Sequence, residues 1–217
     1  DVADLFPWPR REDHKYTRGV VGVWAGSAAY QGAAVLASAG ALAAGPGMVR
    51  YLGPVASVRD HHPEVVTAPG RIQAALVGSG IAGPEAALHA LQEAAGHDVP
   101  LVADAGVLEV LDDVAHSLAA PAIVTPHAGE LAALLGATRE EVEADPAAAA
   151  LRYAADRGLT VLLKGHVTVV ATPDGELFGQ EGQTSWLASA GSGDVLAGLL
   201  AALVAMLQAR AEPRGLG

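Results

Sequence analysis

Three glycine and serine residues stand before one carboxylate near the carboxyl terminus, in a spacing that suits phosphate chemistry. Gly191, Ser192 and Gly193 precede Asp194, and a long apolar run follows at 195–208. Glycines allow a tight turn that exposes backbone N–H groups. At a helix start, such groups stabilise a phosphate or a developing oxyanion. A carboxylate in the first turn could act as a general base on a hydroxyl group. The spacing alone fits an ordinary glycine loop equally well.

A second candidate lies where an apolar strand ends and a hairpin begins, at Lys164 and Gly165. The ammonium group of Lys164 could contact a nucleotide phosphate. Gly165 would allow the backbone to approach that phosphate closely. A solvated lysine at a strand end is the alternative, and it is favoured when this segment is considered alone.

Three further polar residues follow predicted strands. His127, between a strand and a helix, could form a hydrogen bond to a ligand. Glu130, in the first turn of that helix, could cap the helix or bind Mg²⁺ through water. Asp104 ends another apolar strand, where a carboxylate near phosphates often belongs to a magnesium or water network. Each of the three also has a purely structural explanation: a structural histidine, a partner of the helix dipole and a loop cap.

Other motifs do not support a site. The remaining candidate histidines lack metal-ligand spacing and are predicted to be solvated: His14, His61, His62 and His116. The segment 78–83 does not continue into the GxGxxG pattern of dinucleotide-binding proteins, and the chain has no Walker-type glycine-lysine loop.

Short apolar strands alternate with helices along the chain. Strands are predicted at 19–25, 48–52, 74–77, 100–103, 122–125 and 160–163. Helices are predicted at 33–44, 84–95, 129–135, 146–157 and from about 193. This alternation predicts an α/β fold with a mostly parallel sheet covered by helices on both faces. The turn 173–175 predicts a hairpin of strands 167–171 and 176–178.

The polar residues named above fall mostly at the ends of these strands. In an open parallel sheet, ligands bind at the carboxyl ends of the strands. Four such ends carry polar or glycine-rich residues, at 26–27, 78–80, 126–127 and 164–165. Their coincidence is a better signal than any one of them.

Composition limits the class of protein. The length of 217 residues predicts one domain, with residues 1–18 as an extended arm. The net charge of −11 and the lack of a basic stripe argue against a nucleic-acid partner. The lack of cysteine excludes disulfides and thiolate chemistry and fits a cytoplasmic protein. The run 195–208 is shorter than the roughly 20 residues that span a bilayer, so we expect a buried helix and no membrane association.

Taken together, the motifs resemble the ADP/ATP-dependent NAD(P)H-hydrate dehydratases, a branch of the ribokinase-like superfamily. The resemblance runs in order through 14–19, 25–27, 30–36, 45–49, 125–130, 163–165 and 188–198. TPHxGE at 125–130 and GSGDVLAG at 191–198 are specific in combination, whereas either alone indicates only the superfamily. The resemblance implies a ribokinase-like three-layer fold, ADP-dependent dehydration of hydrated NADH or NADPH, and a cytoplasmic homo-oligomer.

The resemblance also implies roles for single residues. Asp194 resembles the base that activates the substrate hydroxyl, and Gly191, Ser192 and Gly193 resemble the anion hole for the transferred phosphoryl group. Residues that resemble nucleotide contacts are Lys164, Gly165, His166, Val167, Thr168 and Gly193. Residues that resemble substrate contacts are Ala33, Gly80, His127 and Asp194. A magnesium role for Glu130 and Asp104 is inferred, with ADP or ATP as co-substrate.

The sequence departs from the family pattern at three places. The usual Pro-Gly-x-Gly loop is replaced by the residues at 79–82, and the usual second aspartate is Gly106. The chain stops at Gly217, where relatives continue, so we expect the carboxyl-terminal end to be incomplete. Many bacterial relatives carry an epimerase domain before this one, and the start at Asp1 agrees with such a fusion.

Two other functions use the same residues. An ATP-dependent kinase of a small hydroxylated metabolite would need the same anion hole and Asp194. A non-catalytic nucleotide-binding module would be marked by loss of Asp194 or the glycines, and both are present. The segments 14–19 and 125–130 favour the dehydratase.

Overall fold

The computed structural model describes residues 6–115, 118–182 and 184–212, and one eight-stranded sheet organises them. The strands are β1 (Val20–Trp24), β2 (Met48–Tyr51), β3 (Ala74–Val77), β4 (Leu101–Ala103), β5 (Ala122–Val124), β6 (Thr160–Leu163), β7 (Val167–Ala171) and β8 (Leu177–Glu181). Their order is β2-β1-β3-β4-β5-β6-β7-β8. Strands β1 to β6 are parallel, and β7 and β8 are antiparallel additions at one edge.

Helices connect the strands. They are α1 (Gln31–Ala43), α2 (Val58–His61), α3 (Pro84–Ala95), α4 (Asp112–Ala115), α5 (Ala128–Leu135), α6 (Arg139–Ala144), α7 (Pro146–Arg157) and α8 (Ser192–Ala211), with a 3₁₀ turn at Ala105–Val110. The chain leaves β1 toward β2 on one side and later returns to β3 on the other. Parallel sheets place ligands at such a switch point, beyond the carboxyl ends of the strands.

The sheet is buried between two layers of helices. On one face, α3, α5 and α7 cover β3 to β6 through buried residues such as Leu91, Leu131 and Tyr153. On the other face, α1 and α8 cover β1, β3 and β4 through small residues such as Ala37 and Ala201. The predicted α/β, three-layer fold is therefore confirmed.

Helices α1 and α8 touch through their backbones. A Cβ atom added to Gly40 would lie 2.1 Å from the Val195 carbonyl oxygen. One added to Gly198 would lie 2.0 Å from the Ala37 carbonyl oxygen. Since no real Cβ atom tolerates such distances, glycine is required at both positions, and α1 fixes the position of the first turns of α8.

Helix α8 is longer than the predicted apolar run. Among the described residues, it is the one helix whose length and composition would allow it to cross a membrane. Its small side chains, including Ala197, Ala201 and Ala205, are buried on the face of the sheet that α1 and α8 cover. The helix packs one face against α1 and the sheet, and 39% of its apolar window is buried.

Most predicted elements are confirmed, and the differences are local. Strand β8 begins at Leu177 and continues to Glu181, beyond the predicted 176–178. Four short elements were not predicted, because one or two helical turns give little apolar periodicity: α2, the 3₁₀ turn, α4 and α6. The described part of the predicted arm, 6–18, contains turns at 11–12 and 15–18. Residues 1–5, His116 and 213–217 lie outside the described residues.

Candidate active site

The start of α8 is open to solvent-borne anions. Gly191 precedes the helix in a left-handed conformation with φ 90°, and within the described chain no side chain caps this helix end. The Ser192 amide and hydroxyl both donate to the Ser189 carbonyl, at 3.3 and 2.9 Å. Uncapped N–H groups at a helix start favour a bound anion. Because the Ser192 amide is already bound to Ser189, the amides of Gly193 and Asp194 are the candidates for anion binding, and the anion hole stays a prediction.

Asp194 lies in the first turn of α8 and is partly buried. Burial raises the pKa of its carboxyl above the ordinary aspartate value, and the negative charge of Asp104 adds to the effect. The Ser79 hydroxyl and the Lys164 ammonium group act in the opposite direction. A carboxylate with a raised pKa accepts a proton more readily, which suits a general base.

Asp104 is the buried centre of a polar network. It is 2% exposed and follows β4. Its Oδ2 accepts from the Ser79 hydroxyl at 2.9 Å, and its Oδ1 accepts from the Thr125 hydroxyl at 2.7 Å and from the Lys164 ammonium group at 2.9 Å. The four residues follow β3, β4, β5 and β6, so the network joins the ends of four neighbouring strands.

Lys164 lies between this network and the start of α8. A Cβ atom added to Gly193 would lie 3.5 Å from the Lys164 Nζ. The same Nζ is 3.9 Å from the Glu130 Oε2. The Lys164 amide donates to the Pro126 carbonyl at 2.8 Å, which fixes the end of β6 beside the start of α5. Lys164 is therefore a partly buried partner of Asp104 and not a solvated lysine, and its contact with a phosphate stays a prediction.

His127 and Glu130 cap α5 reciprocally. The Glu130 amide donates to His127 Nδ1 at 3.1 Å, and the His127 amide donates to Glu130 Oε2 at 2.8 Å. Because Nδ1 accepts a hydrogen bond, a neutral His127 carries its proton on Nε2, which is 3.6 Å from Glu130 Oε1. The capping role expected as an alternative for Glu130 is present, and the exposed imidazole edge remains accessible to a ligand.

A cavity of about 590 Å³ adjoins these residues. It is lined by His127, Ala128, Gly129, Arg139, Val142, Glu143, Pro146, Leu163, Lys164, Gly165, His166 and Val167. The predicted nucleotide segment therefore shares one cavity with the predicted substrate contact His127. Thr168 does not line it, because neighbouring side chains on β7 point to opposite faces of the sheet.

The other predicted substrate contacts lie together beyond β1 and β3. A Cβ atom added to Gly80 would lie 2.5 Å from the Ala33 Cβ. A second cavity of about 350 Å³ begins beside them and includes Gly26, Ser27 and Ile81 in its wall. By contrast, the segment 14–19 lies at the opposite end of the sheet, where the Gly47 amide donates to the Gly19 carbonyl at 2.9 Å. That segment therefore contacts the loop before β2 and lies away from the candidate site.

Two residues of the network were missed by sequence reasoning. Ser79 and Thr125 are buried hydroxyl residues that bind Asp104. Each stands directly beside a predicted site segment, next to Gly80 and Pro126. A hydroxyl at a strand end is a weak signal on its own, because its partner comes from another strand.

Among the described residues, no cluster of three or more histidine and acidic side chains could hold a metal ion.

Comparison with known proteins identifies the family. The NAD(P)H-hydrate dehydratase family model matches residues 21–213. The bifunctional NAD(P)H-hydrate repair enzyme Nnr of Mycobacterium tuberculosis H37Rv is 47% identical over 215 residues, which cover 94% of this chain and 45% of that protein. The ADP-dependent (S)-NAD(P)H-hydrate dehydratase of Neisseria meningitidis is 40% identical over 217 residues, which cover 90% of this chain and 73% of the relative.

The chain thus spans about half the length of the bifunctional relatives that it matches. Among solved structures, the ADP/ATP-dependent NAD(P)H-hydrate dehydratase from Bacillus subtilis, co-crystallized with ATP/Mg²⁺, superposes with a TM-score of 0.82 and 27% identity. The match covers 94% of this chain and 81% of that one. The sequence motifs, the fold and these matches agree, and the chain belongs to the NAD(P)H-hydrate dehydratase family.

Proposed function

We propose that this chain catalyses the ADP-dependent dehydration of hydrated NADH or NADPH, which restores the reduced nicotinamide nucleotide. The observation that carries the proposal is the partly buried Asp194 at the uncapped start of α8, with Lys164 beside Gly193. A base, an anion hole and a cation in one place suit the transfer of a phosphoryl group to a hydroxyl. The ADP dependence of the Neisseria meningitidis relative supports the choice of nucleotide.

The first step is phosphoryl transfer. Asp194 accepts the proton of the hydroxyl group on the hydrated nicotinamide ring, and the hydroxyl oxygen attacks the β-phosphorus of ADP. The bond from phosphorus to AMP breaks, so AMP leaves. Positioning and electrostatic stabilisation dominate catalysis of such transfers. Here the N–H groups of Gly193 and Asp194 and the ammonium group of Lys164 stabilise the charge on the phosphoryl oxygens.

The second step is elimination. Hydroxide is a poor leaving group, whereas phosphate is a good one. The ring nitrogen lone pair assists cleavage of the bond from carbon to phosphate, and loss of a proton from the adjacent ring carbon forms the double bond. In the overall reaction, hydrated NADH and ADP are converted to NADH, AMP and phosphate.

Magnesium would be held here with few protein ligands. Mg²⁺ usually keeps several waters and binds one or two carboxylates together with substrate phosphates. Glu130 fits that pattern, because its carboxylate is partly exposed and only its Oε2 accepts the hydrogen bond of the helix cap. Bound Mg²⁺ would neutralise charge on the nucleotide phosphates. The Bacillus subtilis structure with ATP/Mg²⁺ supports the same combination.

We propose a cytoplasmic homo-oligomer that acts on small molecules alone, with a fused epimerase domain in the full-length protein, as the bifunctional relatives suggest. Exposed large apolar side chains support association with further protein: Leu36, Phe178, Trp186, Leu187 and Leu207. Light scattering of the purified chain tests the oligomer, since a monomer at all concentrations would contradict it.

One coupled assay decides among the candidate functions. Hydrated NADH, ADP and Mg²⁺ are incubated with the chain, and recovery of the absorbance of the reduced nicotinamide ring is followed. Recovery that requires ADP supports the dehydratase. No recovery, together with ATP-dependent phosphorylation of a vitamin alcohol or sugar, would instead indicate a small-molecule kinase. Nucleotide binding without either turnover would indicate a non-catalytic module.

A further inference from the structure

Three of the roughly four acceptor positions of the Asp104 carboxylate are occupied by protein donors, and the residue is buried. Three donors surround its carboxylate: the Ser79 hydroxyl, the Thr125 hydroxyl and the Lys164 ammonium group, at 2.7–2.9 Å. The residue is 2% exposed. A magnesium ion with its retained waters needs access to at least one carboxylate oxygen. The geometry therefore argues against the magnesium role that the sequence suggested for Asp104.

The backbone of Asp104 is also held in place. A Cβ atom added to Gly78, which has φ 137°, would lie 1.7 Å from the Asp104 carbonyl oxygen. The Asp104 amide donates to the Val77 carbonyl at 3.0 Å. Backbone contact with the β3 loop and two hydroxyl donors thus fix both the position and the rotation of the carboxylate.

Lys164 uses this fixed carboxylate as its counterion. An ammonium group has three donors, and only one of them is needed for Asp104 Oδ1. The same Nζ lies 3.5 Å from the place of a Cβ on Gly193, in the predicted anion hole. A long lysine side chain would otherwise sample many rotamers, and ordering it costs conformational entropy. The ion pair supplies that order before any nucleotide arrives.

We propose that Asp104 is a positioning residue, which holds the Lys164 ammonium group against the start of α8 so that it meets the phosphate of the nucleotide. This inference rests on the proposed function for the identity of the nucleotide, ADP. Asp104 then acts by positioning Lys164, and Glu130 is the carboxylate that would bind Mg²⁺.

The test is a double-mutant cycle with two readouts. ADP affinity is measured by calorimetry without substrate, and kcat is measured with hydrated NADH. Lys164→Met should weaken ADP binding by about tenfold to hundredfold, as loss of a hydrogen bond to a charged group does. Asp104→Asn should weaken it by about tenfold, and misplacement of the lysine should lower kcat by up to about 10²-fold. The double variant should be no worse than Lys164→Met alone.

The double variant also answers the concern of misfolding. Lys164→Met alone leaves a buried carboxylate unpaired, whereas Asp104→Asn with Lys164→Met removes both charges. Asp112→Asn is the matched control, because it removes the partner of Arg157 in an ion pair of 2.8 Å outside the candidate site. It should leave ADP affinity and kcat unchanged.

Three results would overturn the inference. One is a loss in the double variant equal to the product of the two single losses, since Asp104 would then act independently of Lys164. Another is a rise in the Mg²⁺ concentration needed for half-maximal rate in Asp104→Asn, which would restore a metal role. The third is unchanged ADP affinity in Asp104→Asn. If wild-type chain binds ADP but leaves hydrated NADH unchanged, the proposed function fails while the binding series still decides this inference.

Discussion

Helices α5 and α8 begin on either side of Lys164, and their starts are built in opposite ways. At α5, the side chain of His127 accepts from the Glu130 amide and that of Glu130 accepts from the His127 amide, so a protein carboxylate already lies at this helix start. At α8, a left-handed Gly191 turns the chain and no described side chain caps the helix. Asp194 is also in a first turn, but its carboxylate interacts with Ser79 and Lys164. One helix start is therefore closed by the protein, and the other is left for a ligand.

The largest expected effect is that of Asp194→Asn. Loss of the general base should lower kcat by about 10²–10⁴-fold, while ADP affinity changes little. Steady-state turnover of hydrated NADH and calorimetry with ADP measure the two. Glu141→Gln is the control, because Glu141 belongs to the closed capping box of α6. Near-normal turnover in Asp194→Asn would show that α8 contributes only an anion hole.

Gly191→Ala should have the next largest effect. An alanine at 191 would have to adopt φ 90°, which strains an L-residue, and its Cβ would lie 2.5 Å from Leu36 Cδ1. The Leu36 side chain can move aside, so we expect relief of the backbone strain to displace the start of α8. Displacing one donor of an anion hole lowers kcat by about 10²–10³-fold. Gly136→Ala matches the backbone strain, since Gly136 has φ 63° at the end of α5 with open space around it. That control should lose about 1–2 kcal/mol of unfolding free energy and keep its kcat.

His127→Ala tests the closed helix start. Removing the cap should lower the unfolding free energy by about 1 kcal/mol, measured by urea denaturation. His127→Asn keeps a capping side chain and should recover most of that loss. If His127 also contacts substrate, both variants should raise KM for hydrated NADH. Asp145→Ala, which removes the cap of α7, should reproduce the stability loss without a change in KM.

The smallest expected effect is the dependence of kcat/KM and of the melting temperature on pH. Because burial and Asp104 raise the pKa of Asp194, its proton is bound more tightly in the folded protein. The base is active only when deprotonated, so kcat/KM should rise with pH through a midpoint above the ordinary aspartate value of about 3.9. The ionised carboxylate also disfavours the folded state above that value. Asp194→Asn should therefore raise the melting temperature at neutral pH, and a lowered one would contradict the stated cause.

The sequence predicts the layers of the fold better than the details of the site. Apolar runs bounded by glycine and proline define the strands, so β3 and β6 match their predicted bounds. The short helix α6 was missed, although Thr138 and Glu141 form the capping pattern that marks a helix start. Its six residues, 139–144, include one large apolar side chain, Val142, so no apolar periodicity marked the helix.

Within the site, local motifs were more informative than single polar residues. The arrangement of Gly191 to Asp194 could be predicted from the sequence, because the glycine turn and the helix start are adjacent in the chain. Ser79 and Thr125 acquire their role from Asp104 on a different strand. The spacing of Ser79, Asp104 and Thr125 along the chain does not indicate that they are in contact. The same reasoning explains why a metal role was suggested for Asp104 before its three donors were visible.

The contact of α1 with α8 through Gly40 and Gly198 has a consequence for motion in the site. Ala33 is in the first turns of α1 and Asp194 is in the first turn of α8, so two backbones in direct contact carry one predicted substrate contact and the base. Since relative motion would break this backbone packing, we expect the two walls to move together. We therefore expect any closure over the substrates to come from the other side, where the loop between β6 and β7 and helices α5 and α6 line the cavity of about 590 Å³.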